Sequence, residues 1–328
     1  MTTLLLLAVL PTAAMTATPG AESSTLRLVQ TISLPNVAGR IDHMAIDVAG
    51  QRLFVAALGN NSVEVVDLKS GKHERSVTGF REPQGLAWIP ERKVLFVASA
   101  GDEVCHMLDG KSFAATAVAG KIEDADNIRY DAGRVYVGCG NGALRVLNTT
   151  NWSGAGEIAL PAHPESFQLE RRGPRIFVNV PATHSVEVID RVQMRVVGSW
   201  PLNSAAGNFP MVLDEANHRL FVGCRKPPGM IVLDSDSGKE VASVAIDGDT
   251  DDVFYDAKNG RVYASCGAGF IDVLDENSLL PYNVTGKIQT AAGARTALFV
   301  PELNRLYLAV PHRGNQPAEV RIYETIGN

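Results

Sequence analysis

Apolar and polar residues alternate along this chain in short runs, and the runs come in a fixed order. Residues 40–79, "RIDHMAIDVAGQRLFVAALGNNSVEVVDLKSGKHERSVTG", hold four of them: "HMAID", "RLFVAA", "SVEVVD" and "HERSVTG". Each has the length of a strand rather than a helix, and turn residues such as Lys-Ser-Gly-Lys separate them. This stretch predicts four antiparallel β-strands.

The same unit recurs to the end of the chain. The second run of each copy carries an aromatic residue: Phe54, Phe96, Tyr136, Phe177, Phe221, Tyr263 and Tyr307, spaced 42, 40, 41, 44, 42 and 44 residues apart. The third run ends on an acid or amide, at Asp67, Asp109, Asn148, Asp190, Asp234, Asp275 and Glu324. Seven copies of four strands at this period predict an all-β fold, a seven-bladed β-propeller of four-stranded antiparallel blades over residues 26–328. The last copy stops at its third strand, "AEVRIYE", whereas "LRLVQTISL" (Leu26 to Leu34) stands alone before the first. The N-terminal strand is therefore expected to complete the last blade and close the ring, leaving no incomplete sheet.

The segments "RVYV", "VEVID" and "DSGKEV" resemble the repeats of the YVTN-repeat (YncE-like) seven-bladed propellers, over essentially all of the chain after its leader. The name-giving tetrapeptide is absent; Val-Gly-Cys or Val-Ala-Ala stands in its place. Trp-Asp dipeptides, the mark of WD repeats, are absent too. The resemblance implies an exported propeller and no single chemistry.

Composition narrows the partners. A net charge of −6 and a pI near 5.7 argue against nucleic acid, which calls for a basic face. The first 21 residues, with the apolar run Leu4 to Leu10 followed by Pro11 and small residues, read as a signal peptide, although no Lys or Arg precedes the run. The expectation is a periplasmic or secreted monomer with no membrane span once the leader is removed.

Candidate chemistry comes from aligning the copies. Asp42 falls in register with Gln84, Asp126, Glu165, Phe209, Asp251 and Arg295; His43 falls with Gly85, Asn127, Ser166, Pro210, Asp252 and Thr296. These positions precede the innermost strands and ring one mouth of the axial channel. Asp42, His43, Gln84, Asp126, Asn127, Glu165, Asp251, Asp252 and Arg295 are thus the candidate ligand-binding set; neighbouring loops add Glu123, Asp124, Asp247 and Asp249, with His163, His184, His312, Arg225 and Arg313 on the same face. The bland account is that each acid caps its own turn, as Asp does in many loops. A second account gathers side chains of at least three blades on one centre, where a divalent metal can be held. The expected function is non-catalytic: an exported propeller that binds a small molecule or a protein at this mouth. The alternative is a metal-assisted hydrolase or lactonase, with Asp42, Asp126, Glu165 and Asp251 as ligands and His43 as general base.

Other signals are weaker. In "DGDTDD" (247–252) Gly248 is misplaced for an EF-hand loop, and Lys258 stands where its terminal acid belongs. No nucleophile elbow, P-loop or zincin motif is present. Cys139, Cys224 and Cys266 occupy one equivalent position in different blades, too far apart for disulfides, and Cys105 has no evident partner. All four are expected to be reduced.

Overall fold

The computed structural model describes residues 25–275 and 282–327. The leader assigned to residues 1–21 lies outside them.

Seven four-stranded antiparallel sheets make up the molecule. In the first blade the strands run, from the axis outward, Met44–Asp47, Arg52–Ala57, Ser62–Asp67 and Lys72–Thr78. Five further blades repeat this order, their innermost strands being Pro83–Ile89, Ile128–Asp131, Phe167–Leu169, Ala206–Asp214 and Thr250–Asp256. The last blade takes Ala297–Val300, Arg305–Val310 and Glu319–Thr325 from the C-terminal end and Leu26–Ser33 as its outer strand. Leu26 pairs with Thr325 and Ser33 with Glu319, so the ring closes as the repeat count requires. Helical structure among the described residues amounts to three single 3-10 turns.

The pattern of apolar residues follows from where each strand sits. Second and third strands have both faces covered by neighbouring blades and are nearly continuous apolar runs, as in "RLFVAA" and "SVEVVD". Outer strands alternate between half-buried and exposed, as in Lys72–Thr78 and Arg195–Pro201. The core therefore lies between blades. Phe54 of the first blade stacks on Trp88 and meets the edge of Phe113 in the second, with ring centroids 5.7 and 6.0 Å apart. All seven repeat aromatics are buried; truncating one of this kind to alanine costs about 3–5 kcal/mol.

The recurrent terminal acid has a local role. Asp67 accepts the backbone N–H groups of Lys69 (2.8 Å) and Ser70 (3.2 Å), and Asp109, Asp190 and Asp234 do the same in their blades. These side chains close the turn into the outer strand. Just beyond each turn the third and outer strands slip register, at Val65/Val66 in the first blade and at the equivalent place in the next five. Such bulges add the twist that a radial sheet needs.

The four cysteines are buried and free. Cys139, Cys224 and Cys266 repeat one environment, each Sγ lying 3.4–3.9 Å from the carbonyl two residues before it.

Candidate functional site at the channel mouth

The loop into each innermost strand is tied to the second strand of its own blade. In the first blade Asp42 N–H donates to Ala56 O (2.7 Å) and Gly59 N–H to Arg40 O (2.9 Å). These bonds fix the entry loop at one end of the channel, and the repeat copies that placement around the ring. A cavity of about 370 Å³ occupies this mouth. All seven residues in register with Asp42 line it: Asp42, Gln84, Asp126, Glu165, Phe209, Asp251 and Arg295. His43 and Asn127 line it as well.

Beneath it lies a second chamber of about 400 Å³, and His43 and Ser166 line both. The layer containing His43 thus divides the channel. Asp252, expected at the mouth, instead lines the lower chamber. Its Oδ2 accepts the N–H of Ala297 (2.8 Å), which draws the carboxylate away from the mouth.

The mouth sorts its charges into two arcs. In one, arginines neutralise acids. Arg295 donates to Asp249 (2.7 Å) and lies 3.0 Å from Asp251; Arg225 pairs with Asp251 and stacks 3.8 Å over the ring of Phe209. Arg40 pairs with Asp42 and also donates to Gln84 Oε1 (3.2 Å). Gln84 in turn donates to Asp124 (3.3 Å). The acidic stretch 247–252 is consumed by such contacts, Asp247 being held by Lys287 at 2.6 Å.

In the other arc Asp126 and Glu165 have no arginine partner among the described residues. Nε2 of His43 lies 3.6 Å from Asp42 Oδ1 and 3.4 Å from Asp126 Oδ1, and Nδ1 of His163 lies 3.7 Å from Asp124. Oδ1 of Asp126 is sealed from solvent and accepts no well-formed hydrogen bond. One ligand atom from each of Asp42, His43 and Asp126 falls within 4.8 Å of the others; the same holds for Asp126, His163 and Glu165. Asp126 belongs to both groups, so side chains of the first, third and fourth blades meet there.

Electrostatics mark the same arc. Burial works against the charged form of His43, but the contact with Asp126 and the fields of Asp42, Asp126 and Asp252 outweigh it and raise the ring to about 10. Asp126 is held below the usual carboxylate range: burial opposes its charge, and His43 more than compensates. For Glu165, burial and the negative charges of Asp126 and Asp251 outweigh the pull of His43 and Arg225 and push it up to about 8. Burial likewise raises Asp252 to about 7, against the pull of His43. A protonated His43 has no lone pair, so the general-base role given to it in the hydrolase account requires that this proton leave first.

Two functional-looking residues escaped the sequence reading. Arg40 stands two residues before Asp42, and strand alternation was the available signal that they share a side. Arg129 lies in the lower chamber, and its signal was a cation inside an innermost strand.

The chain is a seven-bladed β-propeller. In fold it is similar to a solved chain titled Kuenenia stuttgartiensis hydrazine synthase, with a TM-score of 0.76, at 17% sequence identity over 87% of this chain and 97% of the other. At that identity the likeness concerns the fold alone. No protein-family model and no curated protein matches the chain.

Proposed function

We propose that this chain is an exported binding propeller, of the YVTN-repeat kind its sequence resembles, whose channel mouth holds a divalent transition-metal ion. The observation that carries this reading is the convergence of Asp126, His163 and Glu165, one ligand atom of each within 4.8 Å of the others, with the arginines of the mouth already paired elsewhere. One imidazole and two carboxylates form a mixed nitrogen and oxygen set, which suits zinc, manganese, iron or nickel better than calcium, a cation that takes six to eight oxygens. Excess buried carboxylate also has to be balanced; Glu165 does so with a proton when no cation is present. The binding reading stands ahead of hydrolysis because Asp42 and Asp251, two of the four ligands hydrolysis was to use, are engaged by arginines.

The test is calorimetry on chelator-treated protein with zinc, manganese, calcium and magnesium. One site per chain for zinc or manganese is expected, weakened at least about tenfold by Asp126→Asn and by His163→Ala, in the range typical of altered metal shells. Absence of binding by all four ions would remove the reading.

A further inference from the structure

The lower chamber contains a cation that the protein does not neutralise. Arg129 sits at the position where each innermost strand pairs with the repeat aromatic; its six equivalents are Ala45, Ala87, Gln168, Val212, Phe254 and Leu298. None of those is charged. Of the five N–H donors of a guanidinium, Arg129 gives one to the carbonyl of its neighbour Ile128 (2.8 Å) and one to Ser166 Oγ (3.3 Å). No carboxylate among the described residues pairs with it, in contrast to Arg40, Arg225 and Arg295 at the mouth. Asp252 and Asp126 act on it only through their fields, and burial depresses its affinity for its proton. An unpaired guanidinium held in a mostly apolar chamber is costly unless something arrives to meet it.

We propose that this chamber binds a small organic monocarboxylate with an apolar body, its carboxylate on the free edge of Arg129 and its body against Met211, Phe254, Leu298 and Phe299. The fork of a guanidinium matches the two oxygens of a carboxylate. The four apolar side chains line the same space, and about 400 Å³ is within the range of small-molecule pockets. A monoanion suits Arg129, since Arg171, the chamber's other arginine, is exposed beyond the end of its strand; a phosphate dianion would meet the opposing charges of Asp252 and Asp126. The chamber extends from His43 to Arg171 and Pro301, past the far ends of the innermost strands Phe167–Leu169 and Ala297–Val300. The carboxylate site is therefore separate from the metal arc above it.

Calorimetry and thermal unfolding of the full chain with benzoate, benzamide and inorganic phosphate test this. Benzoate should bind one per chain, with benzamide and phosphate at least tenfold weaker. Arg129→Gln should lose at least tenfold in benzoate affinity while its manganese titration stays as in wild type. The proposal is overturned if wild type ignores benzoate, if benzamide or phosphate matches it, or if Arg129→Gln retains it. Should Arg129→Gln fail to fold, the three-ligand comparison on wild type still decides. Wild type that binds manganese but not benzoate would sink the chamber and leave the mouth reading standing; wild type that binds benzoate but no metal would do the opposite.

Discussion

Nε2 of His43, in the first blade, lies 3.4 Å from Oδ1 of Asp126, in the third. The second blade stands between them, and at the equivalent place it offers Gly85. A Cβ there would sit 1.8 Å from the carbonyl oxygen of Asp126 and 2.8 Å from Ile128 Cγ1. The missing side chain lets the third blade's entry strand come in close. One glycine thus turns a ring of equivalent positions into a lopsided site in which the first and third blades touch.

Gly85→Ala tests that account. The residue is not in the left-handed region, so the penalty is steric rather than conformational. Overpacking of this kind costs about 1–3 kcal/mol, read as a lower denaturation midpoint, and it should also weaken manganese binding. Gly120→Ala is the control, since a Cβ there meets nothing within 4 Å. Equal midpoints for the two variants would show that Gly85 spaces nothing.

The repeat made the ring legible in sequence, because a period of 40–44 residues in every blade places equivalent residues at equivalent heights. Asp42 and its six partners all line the mouth for that reason. Register does not say where a long side chain goes. Arg225 reaches Asp251 of the next blade, Arg40 folds back on Asp42, and Asp252 turns to the N–H of Ala297. Those choices separate paired acids from free ones, and they depend on rotamers and neighbours that no alignment of the copies contains. Arg129 is hidden differently: it lies inside an innermost strand, whereas the residues in register at the mouth belong to the entry loops.

Closure of the ring depends on two buried residues of the N-terminal strand. Leu26 and Ile32 are 2% and 3% exposed, whereas Val29 is 42% exposed. The ion pair of Arg27 with Glu324 lies at the surface and contributes little. Ile32→Ala should therefore cost about 2–5 kcal/mol and Val29→Ala no more than about 0.5 kcal/mol, as measured by urea unfolding. Deleting residues 25–33 should expose the edge at Glu319–Thr325 and drive self-association, visible by light scattering. A deletion that stays monomeric with an unchanged midpoint would mean that the ring holds without its clasp.

The thiols should be chemically silent in the native state. Burial pushes Cys139 up to about 11 and Cys224 up to about 12, and it raises Cys105 and Cys266 as well. The reactive species is the thiolate, so an aromatic disulfide reagent should meet almost none of it at neutral pH. Four groups should react once the chain is unfolded without reductant. Fewer than four would reveal a bond that the positions of these residues in the fold do not allow for.

Asp272 carries the last prediction, a dependence of stability on pH. It is buried in the third strand of the sixth blade, and its Oδ2 accepts the N–H of Asp247 at 2.6 Å. Burial, together with the nearby Asp247 carboxylate, raises it from 3.8 to about 6, although the backbone hydrogen bond and Lys287 pull the other way. The folded chain therefore holds this proton to higher pH than the unfolded chain does. Stability from this group is full below about pH 4, falls as the pH rises toward about 6, and stays lower above that. Asp272→Asn keeps an oxygen for the Asp247 N–H and never ionises. It should gain on the order of 1–2 kcal/mol over wild type at about pH 8 and converge on it near pH 4. Urea unfolding at the two pH values measures this directly. A gain equal at both would point to packing, and no gain at about pH 8 would mean that Asp272 ionises in the fold as it does in the unfolded chain.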